Sequence, residues 1–236
     1  MDHDHARTLR LAKTRRRPDY RAMAVQQQSI PGGLPVAIID DFLDRDTHAA
    51  LLAWTLTNEA AFAPTMVGKG RHDPHLRSSR WVRGPEFEPW RERLRALVTP
   101  VLPVLARGAG LEPFDPARIE VQLACHNHGD FYDAHIDTAI VNPESRHGSR
   151  MLSMVYYFHA EPLGFGGGRL RLHPVLAGGG GTLDIAPVQN RLVGFASWAP
   201  HEVLPVDCPS RRFADSRFTL NIWAHRTSDA PASGQS

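Results

Sequence analysis

From residue 117 onward the chain is cut into short β-branched and aromatic runs. They read ARIEVQLAC, RMLSMVYYFHA, GGRLRLH, GTLDIAP, NRLVGFAS, HEVLPV and RFTLNIWAH, separated by Gly, Pro, Asn and Asp. Runs this short and this regularly punctuated predict an all-β sandwich or barrel rather than alternating βαβ units. Upstream the pattern differs. LPVAIID reads as a strand, and DRDTHAALLAWTL as a helix capped by Asp44 or Asp46 that turns Leu51, Leu52 and Leu56 inward. Trp90, Leu94, Leu97, Val101 and Leu105 lie at helical spacing, and Pro100 and Pro103 are expected to break or kink that helix. The expected fold is mainly β with supporting α: a jelly roll buttressed by helices.

At 236 residues, with 42% apolar and 22% charged residues, the chain suits one domain with a complete core. The expected layout is a basic, disordered tail over 1–33, a single domain over 34–227 and a disordered tail over 228–236. Within the domain, helical support spans 41–107 and the jelly-roll core 117–225. The longest apolar-looking stretch, RALVTPVLPVLARGAGL, holds Arg95, Arg107 and two prolines, so no membrane span is expected. The polar, basic first twenty residues do not read as a signal peptide. Cys125 and Cys208 lie far apart without CxxC spacing, which favours a reducing, cytoplasmic setting. Basic residues crowd the leader (Arg7, Arg10, Lys13, Arg15, Arg16, Arg17, Arg21), but a net charge of +2 makes no case for nucleic acid.

The chemistry gathers at FYDAHIDT. His135 and Asp137 stand two apart, so on a strand both point to one side. His201, 64 residues later in SWAPHEVLPV, could complete two histidines and a carboxylate, the facial set that holds iron(II) and leaves open positions. By itself a His-x-Asp with a later His is weak among thirteen histidines. His126 and His128 in CHNHGD could join Cys125 in a zinc site or sit in a solvated loop.

The ordered set of segments is more specific. HGDFYDAHIDT, MLSMVYYFH, GFGGGRLRL, LDIAPVQNRLVGFASWAPHEVLPV and RFTLNIW follow one another as they do in the 2-oxoglutarate/iron(II)-dependent oxygenases of the prolyl-4-hydroxylase-like branch, which the chain resembles from about 117 to 225. The resemblance implies a double-stranded β-helix, with His135, Asp137 and His201 as iron ligands and catalytic residues. It implies that Arg217 and Tyr157 hold the distal carboxylate of 2-oxoglutarate, and that Leu170 forms an apolar wall. Arg217, Thr219, Asn221 and Trp223 share strand parity and are expected to line the pocket, with Thr219 and Trp223 beside the co-substrate. The implied reaction consumes O2 and 2-oxoglutarate, supported by ascorbate. It hydroxylates an aliphatic C–H of a prolyl peptide, free amino acid or other small molecule, with succinate and CO2 as co-products.

Two positions depart from the family pattern. The usual spacing after the distal histidine favours Arg211, whereas the strand pattern RFTLNIW favours Arg217, our assignment. Cys125, ten residues before His135, stands where relatives often carry tyrosine; it either reshapes the site or is a small core residue. Tyr156 opposes Tyr157 in parity and is assigned to the core. Glu202 is either an orienter of His201 or a solvated charge. AGGGGT reads as a flexible hairpin, and Lys69, Arg71, Arg77, Arg80, Arg146 and Arg150 as either solvated charges or a binding surface for a carboxylate-bearing or peptide substrate. The rival functions are a non-catalytic jelly-roll binding module and a zinc hydrolase.

Overall fold

The run Val36–Ile39 has no polar position because both faces of the strand it forms are covered. Val36 and Ile38 pack between two sheets, and Ala37 and Ile39 pack against helices. The computed structural model describes residues 24–65, 75–139, 149–176 and 180–227.

In chain order the strands are β1 (Gln26–Gln28), β2 (Val36–Ile39), β3 (Phe62–Pro64), β4 (Arg77–Ser78), β5 (Arg80–Val82), β6 (Arg118–His126), β7 (Phe131–His135) and β8 (Arg150–Phe158). They continue with β9 (Gly166–Gly167), β10 (Leu170–Leu172), β11 (Leu183–Ile185), β12 (Arg191–Ala196), β13 (His201–Val203), β14 (Val206–Asp207) and β15 (Arg217–His225). The helices are α1 (Arg45–Thr57), α2 (Glu88–Val98) and α3 (Leu102–Gly108). Eight strands form a major sheet in the order β1-β2-β12-β8-β15-β6-β5-β3, and five form a minor sheet in the order β11-β10-β13-β7-β4. Every paired strand is antiparallel.

Strand parity divides the interior into two cores. Leu123, Cys125, Met154, Tyr156, Leu220 and Ile222 face the helices, with Leu51, Leu94 and Leu105 packed on them. Tyr157 of β8 and Val193 and Phe195 of β12 leave the major sheet on the opposite side and meet Leu170, Leu172 and Ile185 of the minor sheet. Tyr156 is therefore a core residue, and its hydroxyl donates to Asn190 Oδ1 at 2.9 Å. Asp44 caps α1 by accepting from the backbone N–H of Thr47 at 2.9 Å. The long helical pattern breaks where the prolines require it. α2 stops at Val98, Pro100 sits in a 3-10 turn over Thr99–Val101, and Pro103 falls in the first turn of α3, where a missing N–H breaks no helical bond.

The layout differs from expectation in two places. Gln26–Gln28, assigned to the tail, pair with Ile38–Val36 as the edge of the major sheet, so order begins before residue 34. The helical support of 41–107 also contains β3, β4 and β5, of which β5 extends the major sheet beside β6 and β4 extends the minor one. The basic leader up to Arg21, the carboxy-terminal tail, Lys69, Arg71, Arg146 and part of the AGGGGT run lie outside the described residues.

Candidate functional site

The two sheets face one another across a cavity of about 730 Å³, and each contributes one half of its chemistry. From the minor sheet, β7 and β13 pair antiparallel with His201 directly opposite His135. Asp137 follows β7, anchored by its backbone N–H to Ser197 O at 2.8 Å. Ligand-capable atoms of His135, Asp137 and His201 all lie within 4.8 Å of one another. His135 Nε2 is 3.7 Å from Asp137 Oδ1, and His201 Nε2 is 3.6 Å from Asp137 Oδ2. Among the described residues this is the one such group. The zinc alternative comes apart: Cys125 faces the helical core, while His128 Nδ1 accepts from the backbone N–H of Cys208 at 3.2 Å.

The surroundings prepare these atoms for a cation. His135 Nδ1 lies 2.7 Å from Asp133 O and His201 Nδ1 lies 2.9 Å from Ala199 O. A carbonyl can only accept, so each Nδ1 carries the proton and each Nε2 presents a lone pair to the centre. Ser153 Oγ donates to Asp137 Oδ2 at 2.7 Å and is itself 2.9 Å from Ser197 Oγ, which fixes the carboxylate's rotation. Burial works to raise the Asp137 pKa, but His201, His135 and Arg150 outweigh it and keep the carboxyl ionised. Burial depresses His201 to about 4, against the attraction of Asp137, so its imidazole is neutral at physiological pH. Tyr132 stacks on His135 with ring centroids 3.6 Å apart, and Phe195 meets His201 edge-on at 4.8 Å.

The major sheet supplies the other half. β15 runs between β6 and β8, which sets Arg217 opposite His126 and Thr219 opposite Tyr157. Arg217 is 2% exposed, its guanidinium lies 5.0 Å from the centre of the Tyr157 ring, and Nη1 donates to His126 Nδ1 at 3.3 Å. Among the described residues no carboxylate pairs with Arg217. Its Nε, the Tyr157 hydroxyl, the Thr219 hydroxyl and His126 Nε2 are all buried without a hydrogen-bond partner. Burial pushes the Tyr157 pKa up against the opposing pull of Arg217, so its hydroxyl keeps a proton to donate. A bare buried guanidinium costs several kcal/mol, and those of these groups that line the cavity, on Arg217, Tyr157 and His126, are ones from which a receptor for a carboxylate can be built. Gly168, at φ +60, belongs to this receptor: a Cβ there would lie 2.7 Å from Arg217 Cδ.

Leu170, Asn221 and Trp223 line the cavity. Thr219 lies on the same face of β15 but is 1% exposed and is not among the lining residues, because the Tyr157 and Ala124 strands flank it closely. Arg211 sits exposed in a turn at φ +55, away from the cavity lining. Cys125 does not reshape the site; its side chain points to the helices, and burial raises its thiol to about 11. The residue that faces the cavity there is its neighbour His126, which the sequence suggested only as a zinc candidate or a loop residue. Glu202 lies 3.9 Å from Arg171 Nη1 and 3.2 Å from His173 Nε2, while the Nδ1 of His201 is held by Ala199 O. Ser153 and Ser197 were missed, since single serines on strands give no signal in one sequence.

Comparison with known proteins agrees with this geometry. Residues 121–225 match the family model described as 2OG-Fe(II) oxygenase superfamily. An uncharacterised PKHD-type hydroxylase of Synechocystis sp. is 39% identical over 56% of this chain and 45% of its own length, so the chain spans less than half of that relative. A Pseudomonas putida prolyl-4-hydroxylase shares the fold at TM-score 0.52 and 24% identity, covering 89% of this chain and 96% of that one. A Trichoplax adhaerens prolyl hydroxylase, solved with a hypoxia inducible factor peptide fragment, gives 0.58 at 20% identity, covering 85% and 87%.

Proposed function

We propose that the chain, whose residues 121–225 match the 2OG-Fe(II) oxygenase superfamily model, is a 2-oxoglutarate-dependent hydroxylase of an aliphatic C–H, of the prolyl-hydroxylase-like kind. The substrate class we favour is a prolyl residue in a peptide or a free amino acid, with succinate and CO2 as co-products and ascorbate in support. We read the two facing sheets as a double-stranded β-helix and the setting as cytoplasmic, in keeping with two buried free thiols.

One observation carries the reading. Among the described residues, a buried arginine without an acidic partner and an orphaned tyrosine hydroxyl share a cavity with two lone-pair-bearing histidines and an ionised carboxylate. His135, Asp137 and His201 would hold iron(II), which supplies oxygen activation when bound. Arg217 would make charge-assisted hydrogen bonds to the far carboxylate of 2-oxoglutarate, and Tyr157 would donate a further one. Leu170 and Val203 wall the space between with apolar surface. Ser153 holds Asp137 in one rotation, and Tyr132 holds the His135 ring in plane. The protein's share is thus position, charge and exclusion of water.

Succinate formation by purified protein given iron(II), ascorbate and 2-oxoglutarate tests this, with His135→Ala and Arg217→Met as controls. Turnover lost in both variants is expected. Hydrolytic activity with zinc in place of turnover would replace the reading with a hydrolase, and 2-oxoglutarate binding without turnover across substrates would favour a binding module.

A further inference from the structure

The charges of the cavity do not balance once the proposed metal and co-substrate are in place. Iron(II) and Arg217 bring three positive charges, matched by Asp137 and the two carboxylates of 2-oxoglutarate. Arg150 is matched separately, its Nη2 donating to Glu120 Oε2 at 3.0 Å. Arg77 has no such ion pair among the described residues. Its Nε donates to Ser79 Oγ at 3.1 Å, the Tyr132 hydroxyl also favours its charge, and the Asp137 carboxylate, already matched, acts on it only from beyond ion-pairing distance. Arg77 is half-buried, and burial of its guanidinium lowers its pKa.

Its placement is specific. Arg77 lies 4.5 Å from the centre of the Tyr132 ring, and His135 stacks on that ring at 3.6 Å. One face of Tyr132 is filled by His135, so Arg77 takes the other, one ring's thickness from a metal ligand. β4 pairs with β7 in the register Arg77↔Tyr132, so this position is built into the sheet. Two more lining groups are buried and unpartnered: the Trp81 Nε1 donor and the Gln122 Oε1 acceptor. Arg83, exposed, lies 4.6 Å over the Trp81 ring and adds positive charge on that side.

We propose that Arg77 is the anchor for an anionic group on the substrate, so that the compound hydroxylated bears a carboxylate within a few bonds of the C–H that reacts. This rests on the oxygenase reading and narrows it to acid-bearing substrates. The carboxylate can be that of a free amino acid, a peptide carboxy terminus or an acidic side chain. An excess guanidinium beside the metal favours any of them over a neutral interior peptide segment, because the neutral ligand would leave that charge desolvated and unpaired.

The test is binding to the full chain loaded with manganese(II) and 2-oxoglutarate, followed by calorimetry. The probes are proline, N-acetylproline, glycylproline and an amidated prolyl-glutamate peptide, each beside its neutral amide. 2-Oxoglutarate binding is measured first in wild type and Arg77→Gln; its presence in both keeps the oxygenase reading standing independently of the outcome. At least one acid is expected to bind tenfold or more tightly than its amide, and Arg77→Gln should reduce that preference to within about threefold, while Arg77→Lys restores part of it. Which acid wins identifies the source of the carboxylate. Equal binding of acids and amides, no binding by any probe, or an unchanged preference in Arg77→Gln would overturn the proposal.

Discussion

Arg217 Nη1 donates to His126 Nδ1 across the β15–β6 pair at 3.3 Å, and this one bond decides the tautomer of His126. A guanidinium cannot accept, so Nδ1 is bare and Nε2 carries the hydrogen. That Nε2–H is buried, unpartnered and in the cavity lining, a neutral donor beside the arginine. His126→Leu removes it and is expected to weaken 2-oxoglutarate binding about tenfold, the scale of ~1.4 kcal/mol for a lost buried hydrogen bond. His126→Gln keeps a donor and should stay within a few-fold of wild type. Calorimetric titration of the manganese-loaded protein reads both.

The same histidine gives a pH signature. Burial, then Arg217 and Arg77, holds its pKa well below 6.5, so the folded protein keeps it neutral where the unfolded chain takes up a proton. Its contribution to stability is therefore full above pH 6.5 and lost progressively as pH falls below that value. Denaturant unfolding at pH 7.5 and pH 5.5 should show a smaller loss in His126→Gln than in wild type, by up to ~1.4 kcal/mol per pH unit.

Ser153 is not one of the three clustered ligand-capable residues, yet its hydroxyl holds Asp137 Oδ2 at 2.7 Å. Ser153→Ala frees the carboxylate to rotate and leaves Ser197 without its neighbour. Metal affinity is expected to fall 10- to 100-fold, the usual effect of deleting a group that orients a ligand, with little change in 2-oxoglutarate affinity at saturating metal. Competition with a fluorescent chelator measures the first and calorimetry the second.

Gly168 has two reasons to be glycine. Its φ of +60 is uphill for any side chain, and a Cβ would press on Arg217 Cδ at 2.7 Å and Val206 Cγ2 at 2.9 Å. Gly168→Ala should lower stability by about 1–2 kcal/mol from the backbone conformation alone and push Arg217 out of line, so that 2-oxoglutarate binding drops. A thermal melt with and without 2-oxoglutarate separates the two effects; an unchanged ligand-induced shift would mean Arg217 tolerates the displacement.

The β content of this chain was legible because antiparallel strands are local objects, punctuated by Gly, Pro and Asn, and because period-two parity separates Tyr156 from Tyr157 without any knowledge of the sheet. The clustering of His135, Asp137 and His201 was legible for the same reason: His135 and Asp137 are two apart, and the distal segment around His201 keeps its order. What was hidden depended on pairing between distant strands. Gln26–Gln28 are polar and look like tail, but as an edge strand they need only backbone bonds to β2. Cys125 and His126 differ by one residue and so by a whole face, and only the register with β15 tells which of them meets Arg217. Arg77 was one basic residue in a group of six until β4 paired with β7.

Arg217 also predicts a separation of stability from function. In the absence of ligand it is a buried cation with no carboxylate partner among the described residues, meeting only the His126 imidazole and Tyr157, so it opposes folding. Arg217→Met replaces it with an apolar chain of similar length in a pocket already walled by Leu170. The variant is expected to melt at the same temperature as wild type or above it when neither carries ligand. Wild type loaded with manganese(II) and 2-oxoglutarate at a hundredfold above its Kd should gain about 2.7 kcal/mol, whereas Arg217→Met should gain only what the metal provides. Differential scanning calorimetry in the four conditions reads the outcome. A variant that melts well below unliganded wild type would show that Arg217 is a structural cation with a partner elsewhere, and the carboxylate receptor would then have to be sought at another side of the cavity.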